Sequence, residues 1–289
     1  MTMTSPAQPI QVHTTRSKHG HEWTRGDLHY YNILIAYDDA KTFFENPDSL
    51  FQENSSFQAP IPHTFDTSFF TALNPEDAPT PGGQAYRLIQ HLDEAMATTS
   101  KDESASADFV AALLRALDFA PNEATIRTGK NFSFRVGREK RHSKADVCIV
   151  EGTNPLLIVQ QDKSHVDPLG GDADARLIAT AIAAYDEDSL YRVEYDLAER
   201  PAKLVGIVMH GSWPTFFKIW PVNVLVYNAL QSKNDSIMNS TTIRAYHPIV
   251  ARPQQRLKEG MKSLDNRKLL VDEFLRLKQL MLRTSGKRK

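Results

Sequence analysis

Two apolar segments joined by a tight polar turn constrain this chain more than any other feature of its sequence. They are residues 145–151 and 156–163, and the four residues between them include the turn formers Gly152, Thr153 and Asn154. Both segments have the length of β-strands, and the residues between them are of the types that reverse a chain sharply. The second segment begins almost wholly apolar, which predicts a strand covered on both faces. This hairpin is therefore expected near the centre of a sheet.

Helical and strand patterns alternate along much of the chain. Helical spacing of apolar residues is found in 84–98, 107–117, 175–185 and 265–283, and strand patterns are found in 131–136, 203–210 and 216–221. This order predicts an α/β (α+β) fold in which helices flank a mixed β-sheet. An N-terminal extension and a C-terminal helix are expected to pack beside this core.

Composition divides the chain into four parts. Residues 1–25 are polar and predict a disordered arm, whereas 26–100 predict an extension packed on the core. Residues 101–230 contain the core elements, and 231–289 predict a basic helical segment. From residue 251 onward there are 12 Lys/Arg and 4 Asp/Glu, although the net charge of the chain is only -1. Such a basic end either attracts polyanions or is a solvated helix face.

Composition also excludes or disfavours several classes of protein. Cys148 is the single cysteine, so an intramolecular disulfide and a Cys-rich zinc site are both excluded. The scarcity of cysteine favours an intracellular location, cytoplasmic or nuclear. The polar first residues and the shortness of the apolar runs predict neither a signal peptide nor a membrane partner. Gly-rich phosphate loops, Ser-His-Asp patterns and HExxH motifs are absent from the sequence.

Polar residues that interrupt the apolar hairpin are candidates for chemistry. Asp146 opens the first strand, and Gln161 and Lys163 lie two residues apart near the end of the second. The period of a strand puts Gln161 and Lys163 on one face, and pairing is expected to bring Asp146 near them. Carboxylate and amide oxygens are ligands for Mg²⁺, and the main-chain carbonyl of Asp162 is a further candidate ligand. An ammonium group can orient a water molecule or stabilise charge on a phosphate.

Asp146 followed by Gln161-Asp162-Lys163 resembles the PD-(D/E)xK nuclease superfamily, and the predicted order of elements is similar to its restriction-endonuclease-like core. Segments within about 108–221, such as Val159-Gln160-x-Asp162-Lys163, also resemble a group of uncharacterised fungal proteins of that type. The resemblance implies Mg²⁺-dependent hydrolysis of phosphodiesters in DNA or RNA. It implies that Asp146 and Gln161 bind the metal and that Lys163 serves the attacking water.

The sequence departs from the superfamily pattern at Gln161, where the family has an acid. A neutral amide weakens the binding of a hard cation, and Asp162 lies on the opposite face unless a bulge turns it. Two alternatives to a nuclease therefore stay open. One is a catalytically inactive member of the fold that binds nucleic acid or protein. The other is an unrelated interaction protein with a structural Asp146–Lys163 ion pair.

Basic residues just before the hairpin are candidates for phosphate contacts. Arg138, Lys140, Arg141 and Lys144 are expected in or beside a turn, where they either meet phosphates or are simply solvated.

The other candidates each have two interpretations. Glu103 or Asp108 is either an acid of the site or, for Asp108, a helix cap. His165 is a candidate neighbour of the site, whereas His210 is expected to be a hydrogen-bonded structural residue. The aromatic group near the last strand either stacks bases or packs the core, and its members are Trp213, Phe216, Phe217 and Trp220.

Overall fold

A mixed sheet with seven described strands forms the centre of the computed structural model. The strands are β1 (Ile33–Tyr37), β2 (Thr125–Val136), β3 (Glu139–Glu151), β4 (Asn154–Gln161), β5 (Leu204–His210), β6 (Trp213–Ile219) and β7 (Thr241–Tyr246). Their order across the sheet is β1-β7-β6-β5-β4-β3-β2. The pairs β1–β7 and β4–β5 are parallel, and the remaining pairs are antiparallel. The described residues are 18–44, 60–97, 104–120, 123–136, 139–162, 172–199, 203–220, 222–223, 225 and 240–284.

Helices cover both faces of this sheet. They are α1 (Arg25–Tyr30), α2 (Ala40–Phe44), α3 (Gln84–Met96), α4 (Ala105–Ala116), α5 (Ala173–Glu194), α6 (Arg256–Glu259) and α7 (Leu264–Thr284). Buried residues of α3, α4 and α7 share one core with one face of the sheet, and those of α1 and α5 share a second core with the other face. The predicted α/β fold, a mixed sheet flanked by helices with a C-terminal helix, is therefore confirmed. No helix in the described ranges has both the length and the apolar character needed to cross a bilayer.

The apolar hairpin predicted from the sequence lies within the sheet, as expected. All eight residues of β4 are buried, because β3 and β5 flank the strand and helices cover both of its faces. Gly152 has a φ of 61° in the turn between β3 and β4, a conformation that favours glycine. Small residues of α5, among them Ala175, Ala179 and Ala183, are buried in the core that this helix shares with the sheet. At Gly206 a Cβ atom would approach Leu177 Cδ2 to 2.8 Å, so the sheet also needs a small residue there.

The basic turn predicted around residues 138–141 is wrong where the structure describes it, because Glu139 already begins β3. Strand β3 pairs with β2 from Val136 opposite Glu139 to Thr125 opposite Val150. The turn interpretation rested on a run of charged residues, and these side chains alternate along a strand that protrudes beyond β4. Lys140, Arg141 and Lys144 are therefore residues of a β-ribbon.

The parallel pair β1–β7 was not predicted from the sequence. Residues of the N-terminal extension and of the C-terminal segment pair here, from Ile33 opposite Thr241 to Tyr37 opposite Ala245. The alternation of buried Ile243 and Ala245 with exposed residues was the local signal for β7. Both ends of the chain therefore contribute strands to the central sheet.

The N-terminal arm predicted to be disordered through residue 25 is packed where the structure describes it, from Lys18 onward. Trp23 is buried and stacks on Tyr31 at a ring distance of 4.9 Å. Asp27 accepts hydrogen bonds from the Thr24 backbone and from Lys18 Nζ, which hold the entry to α1. The arm is polar in composition, but one buried aromatic residue, Trp23, anchors it. The prediction of disorder is therefore wrong for residues 18–25. Residues 1–17 lie outside the described residues.

The outer edge of the sheet at β2 is covered by acidic residues of α5. Glu187 accepts a hydrogen bond from the Ser133 backbone at 2.8 Å, and Asp186 accepts one from the Arg135 backbone at 3.3 Å. Lys130 also pairs with Glu187. The N–H groups of residues 133 and 135 would otherwise be open donors on an edge strand. These two carboxylates thus accept hydrogen bonds from backbone N–H groups with which another strand could otherwise pair.

Candidate functional site

Asp146 lies where the paired part of the β3–β4 hairpin ends. The last paired residues are Val147 opposite Val159. One step beyond, Oδ2 of Asp146 accepts hydrogen bonds from the Gln161 backbone at 2.8 Å and from Gln160 Nε2 at 2.7 Å. The predicted approach of Asp146 to the end of β4 is thereby confirmed. Gln160, which the sequence interpretation left out of the site, supplies one of the side-chain contacts.

The strand alternation breaks at Asp146. Ala145 packs with the α5 core, and Val147 packs with the α4 core, although the two residues are only two positions apart. Opposite Asp146 in β2 lies Gly129, between partners that pair with Val147 and Ala145, and its φ is 63°. One irregularity of the hairpin region therefore lies in β2 and β3 beside Asp146, and the β3–β4 pair has a further register shift between Ile149 and Val150.

Gln160 and Gln161 are directed to opposite sides of β4. Gln160 follows Ile158, which packs in the α5 core, and Gln161 follows Val159, which packs in the α4 core. The side chain of Gln161 is only 4% exposed. Its main-chain carbonyl accepts a hydrogen bond from Arg176 Nη2 of α5 at 3.2 Å. A guanidinium group therefore lies at the end of β4 where a metal ligand was predicted.

Asp162 forms part of a pair that was not predicted. Its backbone donates to the Met209 carbonyl, and its carboxylate lies 3.3 Å from His210 Nδ1. His210 is half-buried at the end of β5, as a hydrogen-bonded structural histidine would be. The predicted structural role of His210 fits this geometry, and the carboxylate of Asp162 is engaged beside it.

The remaining charged candidates are not part of the described site. Lys163, His165, Glu103 and Arg138 are outside the described residues. Asp108 is exposed in the first turn of α4 and accepts a hydrogen bond from Ser104 Oγ, so it acts on the helix start and not as an N-cap. Because that start carries a positive partial charge, the carboxylate stabilises it.

The aromatic residues near β6 belong to the core. Trp213, Phe216 and Phe217 are almost completely buried, and Phe216 meets Phe274 of α7 edge to face at 5.4 Å. The hypothesis that these three side chains stack on bases is therefore wrong. The alternative interpretation, in which they pack the sheet against its helices, is confirmed for them.

The donor set at Asp146 fits a divalent metal poorly. Gln161 contributes no charge, Oδ2 of Asp146 already accepts two N–H groups, and Arg176 brings a positive charge to the Gln161 carbonyl. A hard cation needs several oxygen ligands, and its affinity rises with the negative charge that they carry. Within the described ranges, no three His, Cys, Asp or Glu residues are grouped so that they could hold a metal ion.

The protruding β2–β3 ribbon has one basic face. Lys140, His142 and Lys144 are exposed and alternate along β3, and the exposed Arg135 lies directly opposite Lys140. The other face of the ribbon is apolar and packs on α5 through Phe132 and Phe134. Arg141, which was also predicted to contact phosphates, is not on this face. It alternates with Lys140 along β3 and pairs with Glu139. We call Arg135, Lys140, His142 and Lys144 the basic ribbon face.

The chain matches no protein-family model and no curated protein sequence. The chemistry of the candidate site therefore rests on the residues described above.

Proposed function

We propose that this protein binds nucleic acid through the basic ribbon face and that the neighbouring Asp146 site holds no catalytic metal. The observation that carries the proposal is the alternation along β3, which places Lys140, His142 and Lys144 on one exposed face. The acidic residues of the same stretch have other partners. Glu139 pairs with Arg141, and Asp146 accepts a hydrogen bond from Gln160 where the β3–β4 pairing ends. Cations are thus concentrated where the ribbon protrudes.

The dimensions of the ribbon suit this function. Successive residues on one face of a strand are about 6.6 Å apart, so Lys140 and Lys144 span about 13 Å. A two-stranded ribbon fits the major groove of B-form DNA, and cations along it can neutralise several phosphates. Neither Lys140 nor Lys144 forms an ion pair with another described residue, so binding need not break one.

Replacing Lys140 and Lys144 by alanine is expected to weaken binding to all sequences alike. Affinity for fluorescein-labelled duplex and single-stranded DNA and RNA would be measured by anisotropy over a range of salt concentrations. Each lost phosphate contact should make the plot of log affinity against log salt shallower by about one. Fold stability should hardly change, because both side chains are exposed.

Lys41→Ala on α2 is the control for losing one positive charge at an exposed position outside the ribbon, and the single variants Lys140→Ala and Lys144→Ala are compared with it. Lys268→Ala tests the competing basic surface of the C-terminal segment. That segment cannot simply be deleted, because Leu270 and Phe274 of α7 are buried in the core. Equal affinity for the double variant and the wild-type chain, or a loss only in Lys268→Ala, would refute the ribbon proposal.

Metal-dependent phosphodiester hydrolysis is the second candidate, and the placement of Asp146 favours it. Two N–H groups fix the orientation of this carboxylate at the end of β4. Outer hydrogen bonds of this kind commonly orient metal ligands. In that function Asp146, Gln161 and Asp162 would supply oxygen ligands to Mg²⁺, and the metal would polarise the phosphate. Lys163 would then orient water.

The substitution Gln161→Glu separates the two functions. If the site is inactive, the wild-type chain should show no Mg²⁺ or Mn²⁺ binding by calorimetry and no cleavage of DNA or RNA. The variant should be less stable without metal, because a carboxylate becomes buried at position 161, and Mg²⁺ should restore its stability. Adding Asp146→Asn to the variant should abolish that rescue. Cleavage by the wild-type chain that is lost on Asp146→Asn would establish hydrolysis instead.

A further inference from the structure

The C-terminal end of α5 exposes a group of large apolar side chains. Val193 is 82% exposed and Tyr195 is 57% exposed. Leu190, Tyr191 and Leu197 are also exposed, so five large apolar residues lie on the surface within eight positions. Single exposed apolar residues are ordinary, but contiguous groups mark interaction surfaces. We call these five residues the α5 apolar surface.

Hydrogen bonds close the helix end that carries this surface. The backbone of Leu197 donates to the Arg192 carbonyl at 2.8 Å, and that of Tyr195 donates to the Tyr191 carbonyl at 3.1 Å. Asp196 between them has a φ of 51°, as in the closure of a helix C-terminus. Arg192 bridges the Asp188 carboxylate and the Ala198 carbonyl. The exposed residues are therefore presented by an ordered turn.

Two subsets of side chains give the surface a shape. Leu190 and Val193 lie three residues apart in the last turns of α5 and form a short ridge of the kind that packs against another helix, and Leu197 follows just after the helix closes. The Tyr191 and Tyr195 rings lie 4.5 Å apart and form a wall beside this ridge. Such a ridge and wall provide one half of a helix–helix contact.

Three described residues next to the surface are exposed acids. Glu194, Asp196 and Glu199 are exposed beside the apolar residues, and Arg192 is occupied by its two hydrogen bonds. Phosphates of nucleic acids and anionic lipid headgroups would be repelled by this charge. A cationic partner would be attracted, and its charge would complement that of the surface.

We propose that the α5 apolar surface binds a cationic amphipathic helix of another protein. The apolar face of that helix covers Leu190, Val193 and Leu197, and its lysine or arginine residues face Glu194 and Glu199. This inference is independent of the proposed nucleic-acid function, because the basic ribbon face and the α5 apolar surface consist of different residues.

Binding is tested with a fluorescein-labelled peptide of about five helical turns, with leucines on one face and lysines on the other. The wild-type chain should raise its anisotropy. The double variant Val193→Ser, Tyr195→Ser should bind it at least about tenfold more weakly, because apolar area is no longer buried. Glu194→Gln with Glu199→Gln should weaken binding and reduce its dependence on salt.

Ile249→Ser is the matched control, since Ile249 is 69% exposed outside the surface, and it should leave affinity unchanged. Urea midpoints should agree among all the variants, which excludes unfolding as the cause of any loss. The proposal is overturned if the peptide fails to bind, binds the double variant equally, or binds no better than one with glutamates in place of lysines. Self-association of the wild-type chain that the double substitution abolishes, without peptide binding, would instead assign the surface to a second copy.

Discussion

Replacing Arg267 by alanine is expected to lower the free energy of unfolding by about 3–5 kcal/mol. The Arg267 side chain is 0% exposed, although it stands in a segment whose basic residues the sequence interpretation treated as solvated or as attracting polyanions. Its guanidinium donates to the carbonyls of Met261, Phe69 and Ala72. Alanine would leave these three acceptors unsatisfied in the core and open a cavity beside them.

The contacts of Arg267 explain the size of this effect. The guanidinium stacks on the Phe69 ring at 5.0 Å and joins the irregular segment around Phe69 to helix α7. The acceptors that hold it are main-chain carbonyls, and burial lowers the pKa of Arg267. The carbonyls of Phe69 and Ala72 belong to the N-terminal extension, and Arg267 belongs to α7. Losing the arginine should therefore loosen both elements.

Urea unfolding followed by circular dichroism would measure the loss. Arg267→Lys should fall between wild type and alanine, since an ammonium keeps the charge but cannot match the planar array of donors. Lys268→Ala, the exposed neighbour, should change stability by less than about 0.5 kcal/mol. A fall of less than about 1 kcal/mol for Arg267→Ala would contradict the proposed structural role.

Replacing Lys218 by methionine is expected to stabilise the protein at neutral pH by about 1–3 kcal/mol. Lys218 lies in β6 and is only 6% exposed. Its ammonium lies 5.0 Å from the Phe43 ring and 5.5 Å from the Trp220 ring, and Asp38 is also near. Burial lowers the pKa of Lys218 to about 8, although the charge of Asp38 acts in the opposite direction.

The sign of the pH dependence follows from this lowered pKa. In the unfolded chain the lysine keeps its ordinary pKa of 10.5, so between about pH 8 and pH 10.5 the unfolded state binds more protons. The contribution of Lys218 therefore destabilises the fold fully below about pH 8. That destabilisation is relieved as the pH rises toward 10.5. Wild type and Lys218→Met should thus differ most at neutral pH and converge at alkaline pH.

Thermal and urea unfolding of both proteins across pH 7 to 10.5 would test the convergence. Burial raises the pKa of Cys148 to about 11 and that of Tyr31 to about 12, but these groups titrate in both proteins. Their effect cancels in the difference. A constant difference over the whole range would show that Lys218 does not lose its charge there.

The elements that could be predicted from the sequence are those in which burial makes apolar residues recur at a regular interval. The hairpin of β3 and β4 and the amphipathic helix α7 follow from apolar residues that recur every two or every three to four positions. The buried face predicted for α7, with Leu270, Phe274, Leu277 and Met281, is confirmed. The pairing of β1 with β7 leaves no such local pattern, because it depends on two segments that are distant in the chain.

The candidate site shows a second limit of sequence reasoning. Regular alternation correctly placed Asp146 near the end of β4, but it could not reveal the break of phase opposite Gly129. Gly129, a glycine just before the strand predicted for 131–136, was the available signal for that irregularity. No pattern in the sequence indicated the contacts of Gln160, Arg176 and His210, since each contact depends on the positions of neighbouring elements.

The pairing of Ile33 with Thr241 sets an order of events during synthesis. These partners lie more than two hundred residues apart, so strand β1 leaves the ribosome long before β7 exists. Until then Ile33, which is buried in the finished fold, has no sheet to join. Closure of so long a loop is slow, and the waiting segment exposes apolar surface to other chains. The nascent protein should therefore depend most on chaperones during the interval before residue 246 emerges.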